Sequence, residues 1–456
     1  MERVDVAVVG GGPAGTCAAW EAARGGADAV VIEKGVPRDD RDRLGPDSTD
    51  AAGMLDYWVD IMGLDPSEFP DDVILQELDG VDFVGPSESV TIHTTGLESS
   101  YEHFGYCFHR ARMDDHLRDR AADAGASYRV GTGVSDVETD LSGGHTHTLT
   151  LADGDEIEAE YLILADGPQR TVTNRVLDRF LPKRESITDY VGAKEANHIA
   201  YQEHRRIPEE LFDEDKLKFW WGWMPGETAY PWVFPNDDGV ARVGLTMPID
   251  LDLSAVENPD SYRLLRPDDD TVPRGGEYVR RLLEELYGDE YDIEEDFPLV
   301  EDRGKSGGTE TYPISSTRPI ESPTRAGIAV VGGAMGTTSA FHEGGYHVAV
   351  RSGRIAGQLA AENRITDYND AWQEALEAEL LRNVCFADIV GDYTPDDWDR
   401  VFATTRELLS DDRGSLVNWG PTAGLSATKL YLTYRLRRFR GRNGGYIQLR
   451  EADYTI

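Results

Sequence analysis

Near its start the chain carries an apolar run, Val4-Asp5-Val6-Ala7-Val8-Val9, that stops at Gly10-Gly11-Gly12-Pro13-Ala14-Gly15 and continues into an Ala-rich helical stretch to about Arg24. Strand, tight glycine turn and helix in that order form the phosphate-binding corner of a doubly wound α/β unit. Gly10 permits the turn, Gly12 lets backbone N–H groups approach a pyrophosphate, and Gly15 allows close packing of helix on strand. Pro13 and Ala14 open a helix whose positive end faces the anion. A second apolar run, Ala29-Val30-Val31-Ile32, ends on Glu33-Lys34, and Glu33 stands 18 residues past Gly15. That is where an acid accepts hydrogen bonds from the ribose of an adenine nucleotide. Motif, flanking strands and acid together point to a dinucleotide.

Three further segments repeat this style of local structure. Arg110-Ala111-Arg112-Met113-Asp114-Asp115-His116-Leu117 opens a helix, followed by a strand-like Tyr128-Arg129-Val130 and by Gly131-Thr132-Gly133-Val134. Tyr161-Leu162-Ile163-Leu164-Ala165 runs into an Asp166-Gly167 turn. Gly327-Ile328-Ala329-Val330-Val331-Gly332-Gly333-Ala334-Met335-Gly336 leads to His342-Glu343-Gly344-Gly345-Tyr346 and a long helix. In this order, over about residues 1–365, the chain resembles the FAD-dependent group that includes aromatic hydroxylases, halogenases and geranylgeranyl reductases.

The resemblance implies that Gly10, Gly12, Pro13, Ala14, Gly15, Glu33, Lys34, Arg110, Val134, Asp166, Gly167, Gly333, Gly336, Gly344 and Gly345 bind FAD. A helix starting near Gly344 would set its positive end against the flavin. It departs from the group's pattern where Gly333 replaces the Asp of a GDAAG turn, and where Pro168-Gln169-Arg170-Thr171 follows the Asp-Gly turn instead of a Ser.

Four of the nine Trp fall close together, at Trp220, Trp221, Trp223 and Trp232. Tyr230-Pro231-Trp232-Val233-Phe234-Pro235, continued by Gly244-Leu245-Thr246, resembles the YxWxFP motif of geranylgeranyl reductases, with Thr246 in place of the final Gly. Alternate strand positions share a face, so Tyr230, Trp232 and Phe234, together with Trp221, would form an aromatic wall for an apolar isoprenoid. Some prenyl reductases carry a catalytic Cys in a Pro-Cys-Gly loop; the corresponding Leu44-Gly45-Pro46-Asp47-Ser48-Thr49-Asp50 has none. Tyr230, His342 and Glu343 are the alternative proton donors for C=C reduction.

The implied architecture is α/β. A discontinuous Rossmann-type FAD-binding domain occupies residues 1–185 and 311–365, an inserted α+β substrate domain 186–310, and a helical region 366–456, its first helix running from Tyr368 to about Cys385. The net charge of −40, from 45 Lys plus Arg against 85 Asp plus Glu, excludes a non-specific nucleic-acid binder. Only seven of the cationic residues are Lys, and this bias with the acidic excess fits a high-salt cytoplasm; the resemblance implies an archaeal source. Cys17, Cys107 and Cys385 are too scattered for a disulfide framework or a metal site, and no apolar run approaches a membrane span.

The acidic runs Asp268-Asp269-Asp270 and Glu294-Glu295-Asp296 read as solvated. Arg435-Leu436-Arg437-Arg438-Phe439-Arg440-Gly441-Arg442 reads as a strip pairing with the protein's own acids or a second copy, as a peripheral contact with anionic lipid on the inner membrane face, or as a clamp for a phospholipid substrate. The leading expectation is an FAD-dependent reductase of C=C bonds in an ether lipid or a prenyl quinone. Its electrons would come from ferredoxin, an electron-transfer flavoprotein or NAD(P)H. The alternatives are an FAD monooxygenase and a flavoprotein passing electrons to quinone.

Overall fold

The apolar run that opens the chain forms β1 (Glu2–Val9), its glycine turn leads into α1 (Pro13–Arg24), and the second run forms β2 (Ala29–Glu33). The structure is a computed structural model that describes residues 2–37, 53–191, 197–304, 306–316, 318–410, 425–441 and 446–456. Next come β3 (Gly53–Leu55), α2 (Asp56–Met62), β4 (Ile74–Leu78), β5 (Gly80–Val84), β6 (Ser89–Ile92) and β7 (Gly105–Phe108). α3 (Arg110–Asp123) precedes β8 (Ser127–Val130), β9 (Val134–Asp140), β10 (Thr146–Leu151) and β11 (Glu156–Leu164), and then α4 (Thr171–Asp178) and α5 (Ile187–Val191). β12 (His198–Arg206), β13 (Lys216–Trp220), β14 (Tyr230–Pro235) and β15 (Val240–Pro248) lead to α6 (Gly275–Tyr287), α7 (Ile293–Asp296) and β16 (Thr309–Ile314). The chain closes with β17 (Ile328–Val330), α8 (Tyr346–Ala361), α9 (Tyr368–Val390), α10 (Pro395–Ser410) and α11 (Leu425–Gly441).

The first seven-stranded sheet has the order β8-β2-β1-β11-β10-β9, with β17 also on β11. β8, β2, β1, β11 and β17 are parallel, while β10 and β9 form an antiparallel extension. Parallel strands covered on both faces must be apolar throughout, which is why Val6–Val9 and Tyr161–Leu164 are buried without alternation. This is the Rossmann-type sheet the glycine turn implies. α1 packs against α3 on one side and α8 on the other.

The second seven-stranded sheet runs β16-β12-β15-β14-β13-β5-β6, antiparallel except where β5 meets β13. It draws β5 and β6 from residues 80–92, within the first expected segment, and the rest from 198–314. One face packs on α6, joining Trp220, Trp223, Val243 and Leu245 to Val279, Leu282 and Leu283. The other face carries Tyr230, Trp232 and Phe234 toward Trp398 and Phe402 of α10. β3, β7 and β4 make a small third sheet between these parts of the chain.

α9 continues past Cys385 because Ile389 and Val390 still find the aromatic cluster, and Gly391 is the first residue with nothing to bury. The final segment returns to the first core, where Tyr446, Leu449 and Tyr454 are buried. Asp269 is not simply solvated. Its carboxylate pairs with Arg281 at 2.6 Å with its side chain only 12% exposed, because the buried Arg281 needs a counter-charge. The hydrogen bond from Arg281 holds the Asp269 carboxyl below its usual range. Among the described residues no helix is long and apolar enough to cross a membrane.

Candidate functional site

At the glycine corner Gly10 has φ +102°, and a Cβ there would sit 2.4 Å from the Ala165 carbonyl oxygen. Only glycine lets the turn leave β1 this close to β11. Gly12 caps α1, and a Cβ added to it would meet nothing within 4 Å. Gly12, Pro13 and Ala14 line a large cavity, and Gly15 lies buried behind them. Glu33 accepts from the Gly11 N–H (2.7 Å) and the Gly35 N–H (2.6 Å), tying the turn to the end of β2. A carboxylate so used still has lone pairs for a ribose hydroxyl. Lys34 is exposed beside it and Val134 is buried at the start of β9; neither lines the cavity.

The late glycine segment meets the same space from the other side. Gly333, Gly344 and Gly345 line the cavity, while Gly336 sits in the turn behind it. Gly345 caps α8, which begins at Tyr346, so the N-termini of α1 and α8 both open on the cavity with their partial positive charge. Arg110 lines it as well; its Nε donates to both Asp114 carboxylate oxygens (2.8 and 2.9 Å) and its guanidinium lies over Tyr346, 5.1 Å from the ring centroid.

Asp166 is placed differently from the expectation. Its carboxylate accepts from the Val172 N–H (2.6 Å), the Thr173 N–H (3.0 Å) and the Thr173 hydroxyl (2.5 Å), and so caps α4. Gly167, with Ala165 and Pro168 beside it, lines the cavity. Arg170, noted in the sequence only as a departure, is fully buried. Its Nε donates to the Ala334 carbonyl (2.8 Å) and a terminal nitrogen donates to the Ser315 hydroxyl (2.6 Å). It clips the turn after β11 to the late glycine turn and to the end of β16. Burial lowers its guanidinium to about 10, so it stays charged at neutral pH.

The cavity encloses about 1090 Å3, slightly more than the roughly 300–1,000 Å3 usual for small-molecule sites. It runs from the glycine turns past the aromatic strand to α9, α10 and α11. Tyr230, Trp232, Phe234 and Trp221 all line it. Trp221 lies 4.3 Å from Tyr230 and 4.5 Å from Trp398 between ring centroids. Trp220 and Trp223 point to the opposite face and belong to the α6 core. Among the described residues neither the Trp232 indole N–H nor the Thr246 hydroxyl has a hydrogen-bond partner, although both residues line the cavity. The Leu44–Asp50 loop lies outside the described residues.

Tyr230, His342 and Glu343 come together at the cavity wall. The Tyr230 hydroxyl donates to the His342 carbonyl at 2.5 Å, and burial first, then the Glu343 charge, raises its pKa well above the phenol range. His342 Nδ1 accepts from the Gly344 N–H at 3.2 Å. Burial lowers its imidazole to about 4, so it is neutral at pH 7. Glu343 is held at φ +56°, a left-handed conformation rare for a residue with a side chain. Its Oε1 accepts from the Thr228 hydroxyl (3.0 Å), and its Oε2 is buried with no partner among the described residues. Burial raises the Glu343 carboxyl above its usual range.

Behind it stands His198, whose Nε2 lies 3.2 Å from the Thr228 hydroxyl, 3.0 Å from the Glu227 carbonyl and 3.9 Å from Glu343 Oε1. Asn197 Nδ2 reaches His198 Nδ1 at 2.8 Å, which leaves Nε2 as the protonated nitrogen. No local pattern marks Thr228 or His198, because only the sheet pairing brings them to Glu343. A second buried set flanks His342: Trp58 stacks on His347 at 4.1 Å, and His347 Nε2 bonds Glu379 at 2.6 Å. Burial alone would raise the Glu379 carboxyl, but His347 and Arg351 bring it down to about 2.

Known proteins resemble this chain in sequence and in fold. Residues 5–167 match the family model described as FAD dependent oxidoreductase. The chain is 23% identical over 427 residues to digeranylgeranylglycerophospholipid reductase 1 of Methanosphaera stadtmanae, covering 90% of each protein. It is 28% identical over 403 residues to menaquinone reductase of Mycolicibacterium smegmatis, covering 84% of this chain and 83% of that one. Among solved structures, a geranylgeranyl bacteriochlorophyll reductase-like protein of Thermoplasma acidophilum superposes with a TM-score of 0.67 at 21% identity, covering 97% of this chain and 99% of that one. The open Cβ position at Gly12, the two helix N-termini and the Glu33 carboxylate fit the pyrophosphate and ribose of FAD, the cofactor of this fold. The chain is therefore an FAD-dependent oxidoreductase, similar over 90% of its length to a digeranylgeranylglycerophospholipid reductase.

Proposed function

We propose that the protein saturates C=C bonds of a long isoprenoid chain, carried by an ether lipid precursor or a prenyl quinone. The observation that carries this reading is one cavity lined both by glycine turns at two helix N-termini and by an aromatic wall. Gly12, Gly167, Gly333 and Gly345, with Arg110 at their side, would hold the flavin end of FAD; Glu33, Lys34 and Val134 would hold its adenosine end. Bound and reduced FAD supplies the hydride equivalent. Trp221, Tyr230, Trp232 and Phe234 orient an apolar chain, and their large faces exclude water from it.

The alkene's second carbon also needs a proton, and Glu343 is the group able to give it. Tyr230 is committed to a backbone carbonyl and His342 is a neutral imidazole, whereas Glu343 is a buried acid whose Oε2 faces no partner. Thr228 positions that carboxyl, and His198 behind it offers a path for reprotonation. Trp232 and Thr246, with their unpartnered polar atoms, favour a substrate that carries at least one polar group into the aromatic region, as a quinone ring does.

The test is anaerobic photoreduction of the FAD-loaded protein, followed by addition of a geranylgeranylated ether lipid or of menaquinone. Bleached flavin should reoxidise, and mass spectrometry should find product two mass units heavier per turnover. The arm that responds identifies the substrate. NADPH oxidation stimulated by an aromatic compound in air, with both lipids untouched, would instead favour a monooxygenase. Quinone reduction with an unchanged side chain would favour an electron carrier.

A further inference from the structure

Helix α11 forms part of the cavity wall beside α9. Tyr434, Arg435 and Arg438 line the cavity there, and Tyr434 stacks on Phe386 of α9 with ring centroids 5.2 Å apart. The opposite side of the same helix is different. Leu432, Leu436 and Phe439 are 60%, 50% and 71% exposed, the most exposed large apolar side chains among the described residues. Spaced by four and three residues, they fall in one stripe. At about 100° per residue, Arg435 borders that stripe on one side and Arg440 on the other. Arg437 lies lower on the helix, 3.6 Å from Asp388.

We infer that α11 lies on an anionic lipid surface. The apolar stripe enters the boundary between head groups and acyl chains, and the flanking arginines meet lipid phosphates. The occupant follows from charge complementarity. A chain of net charge −40 is repelled by an anionic bilayer as a whole, and the strip that holds four Arg within residues 435–440 is where that repulsion is locally reversed. Because Arg435 belongs both to the stripe's border and to the cavity lining, the surface in contact with lipid is also the side from which a lipid's chain would enter. That last step rests on the isoprenoid reading of the cavity; the lipid contact itself does not.

The test uses full-length FAD-loaded protein and flotation with vesicles of equal parts phosphatidylglycerol and phosphatidylcholine, or of phosphatidylcholine alone, at about 0.1 M and about 1 M KCl. The wild type should float with the anionic vesicles. Phe439→Asp and Leu436→Asp should each weaken that binding by about tenfold or more, since each removes apolar area from the interface and adds like charge. Arg440→Gln should weaken it at the lower salt and little at the higher, where the Debye length is only about 3 Å.

Turnover of a detergent-dispersed prenyl substrate by Phe439→Asp should match the wild type, while its turnover of substrate in vesicles falls with binding. Wild type that stays unbound, or Phe439→Asp that binds as well as wild type, overturns the proposal. So does a wild-type dimer that Phe439→Asp dissociates without any vesicle binding, because a second copy then covers the stripe. Protein that binds vesicles but reduces no prenyl lipid would sink the isoprenoid reading and leave the docking surface standing.

Discussion

Glu343 sits where a residue chosen for stability would not. It is buried, its backbone is in a left-handed conformation, and one carboxylate oxygen has no partner among the described residues. Its folded pKa is raised by burial, so the folded state prefers the proton. The stability linked to that proton is fully present below the ordinary glutamate range, near ~4.3, and is lost as pH rises through the higher folded value. Glu343→Gln keeps the neutral shape without the titration. Its melting temperature should equal or exceed the wild type's, with a margin that widens toward alkaline pH in differential scanning fluorimetry. Flavin reoxidation by substrate should nevertheless fall about 10²–10⁴-fold, the usual worth of a positioned proton donor. Unchanged reoxidation would remove Glu343 from the chemistry and return the question to His342.

Two helices make the cofactor end possible, and their spacing is set by glycine. A Cβ at Gly353 of α8 would sit 2.0 Å from the Ala14 carbonyl oxygen of α1, and one at Gly357 would sit equally close to the Ala18 carbonyl. Both neighbours are backbone, so α1 and α8 would have to separate rather than a side chain swing aside. Gly353→Ala should cost about 1–3 kcal/mol, as overpacking does. Because the two helix N-termini both face the cavity, their separation should also lower the flavin content of the purified protein. Thermal denaturation with the absorbance ratio of flavin to protein measures both. Loss of stability with full flavin retention would mean that the two N-termini do not act together. Arg170 works at this scale as well, tying the turn after β11 to Ala334 and to Ser315.

For the whole molecule the dominant fact is the charge. The 85 Asp plus Glu far outnumber the 45 Lys plus Arg, and self-repulsion at −40 opposes the compact state. Raising salt from about 0.1 M to about 1 M shortens the Debye length from roughly 10 Å to roughly 3 Å. The melting temperature should therefore rise monotonically with KCl across that range. A flat or falling curve would mean that local ion pairs, such as Arg281–Asp269 and Arg351–Glu379, outweigh the long-range repulsion.

The sequence by itself determined the Rossmann-type corner, because a strand, a glycine turn and a helix are set by neighbours within about thirty residues and leave few packing solutions. It also determined the aromatic wall, since alternation along one strand places Tyr230, Trp232 and Phe234 on one face whatever surrounds them. It could not say that Trp220 and Trp223 turn away, that Asp166 caps α4, or that Arg170 is a clip. Each depends on which partner another part of the chain presents. Thr228 and His198 are the clearest cases, meeting Glu343 only because β12, β14 and the loop before α8 converge. Local patterns follow from local sterics, while a buried acid's pKa and a cavity's continuity follow from desolvation by residues more than a hundred positions away. Those belong to the tertiary structure alone.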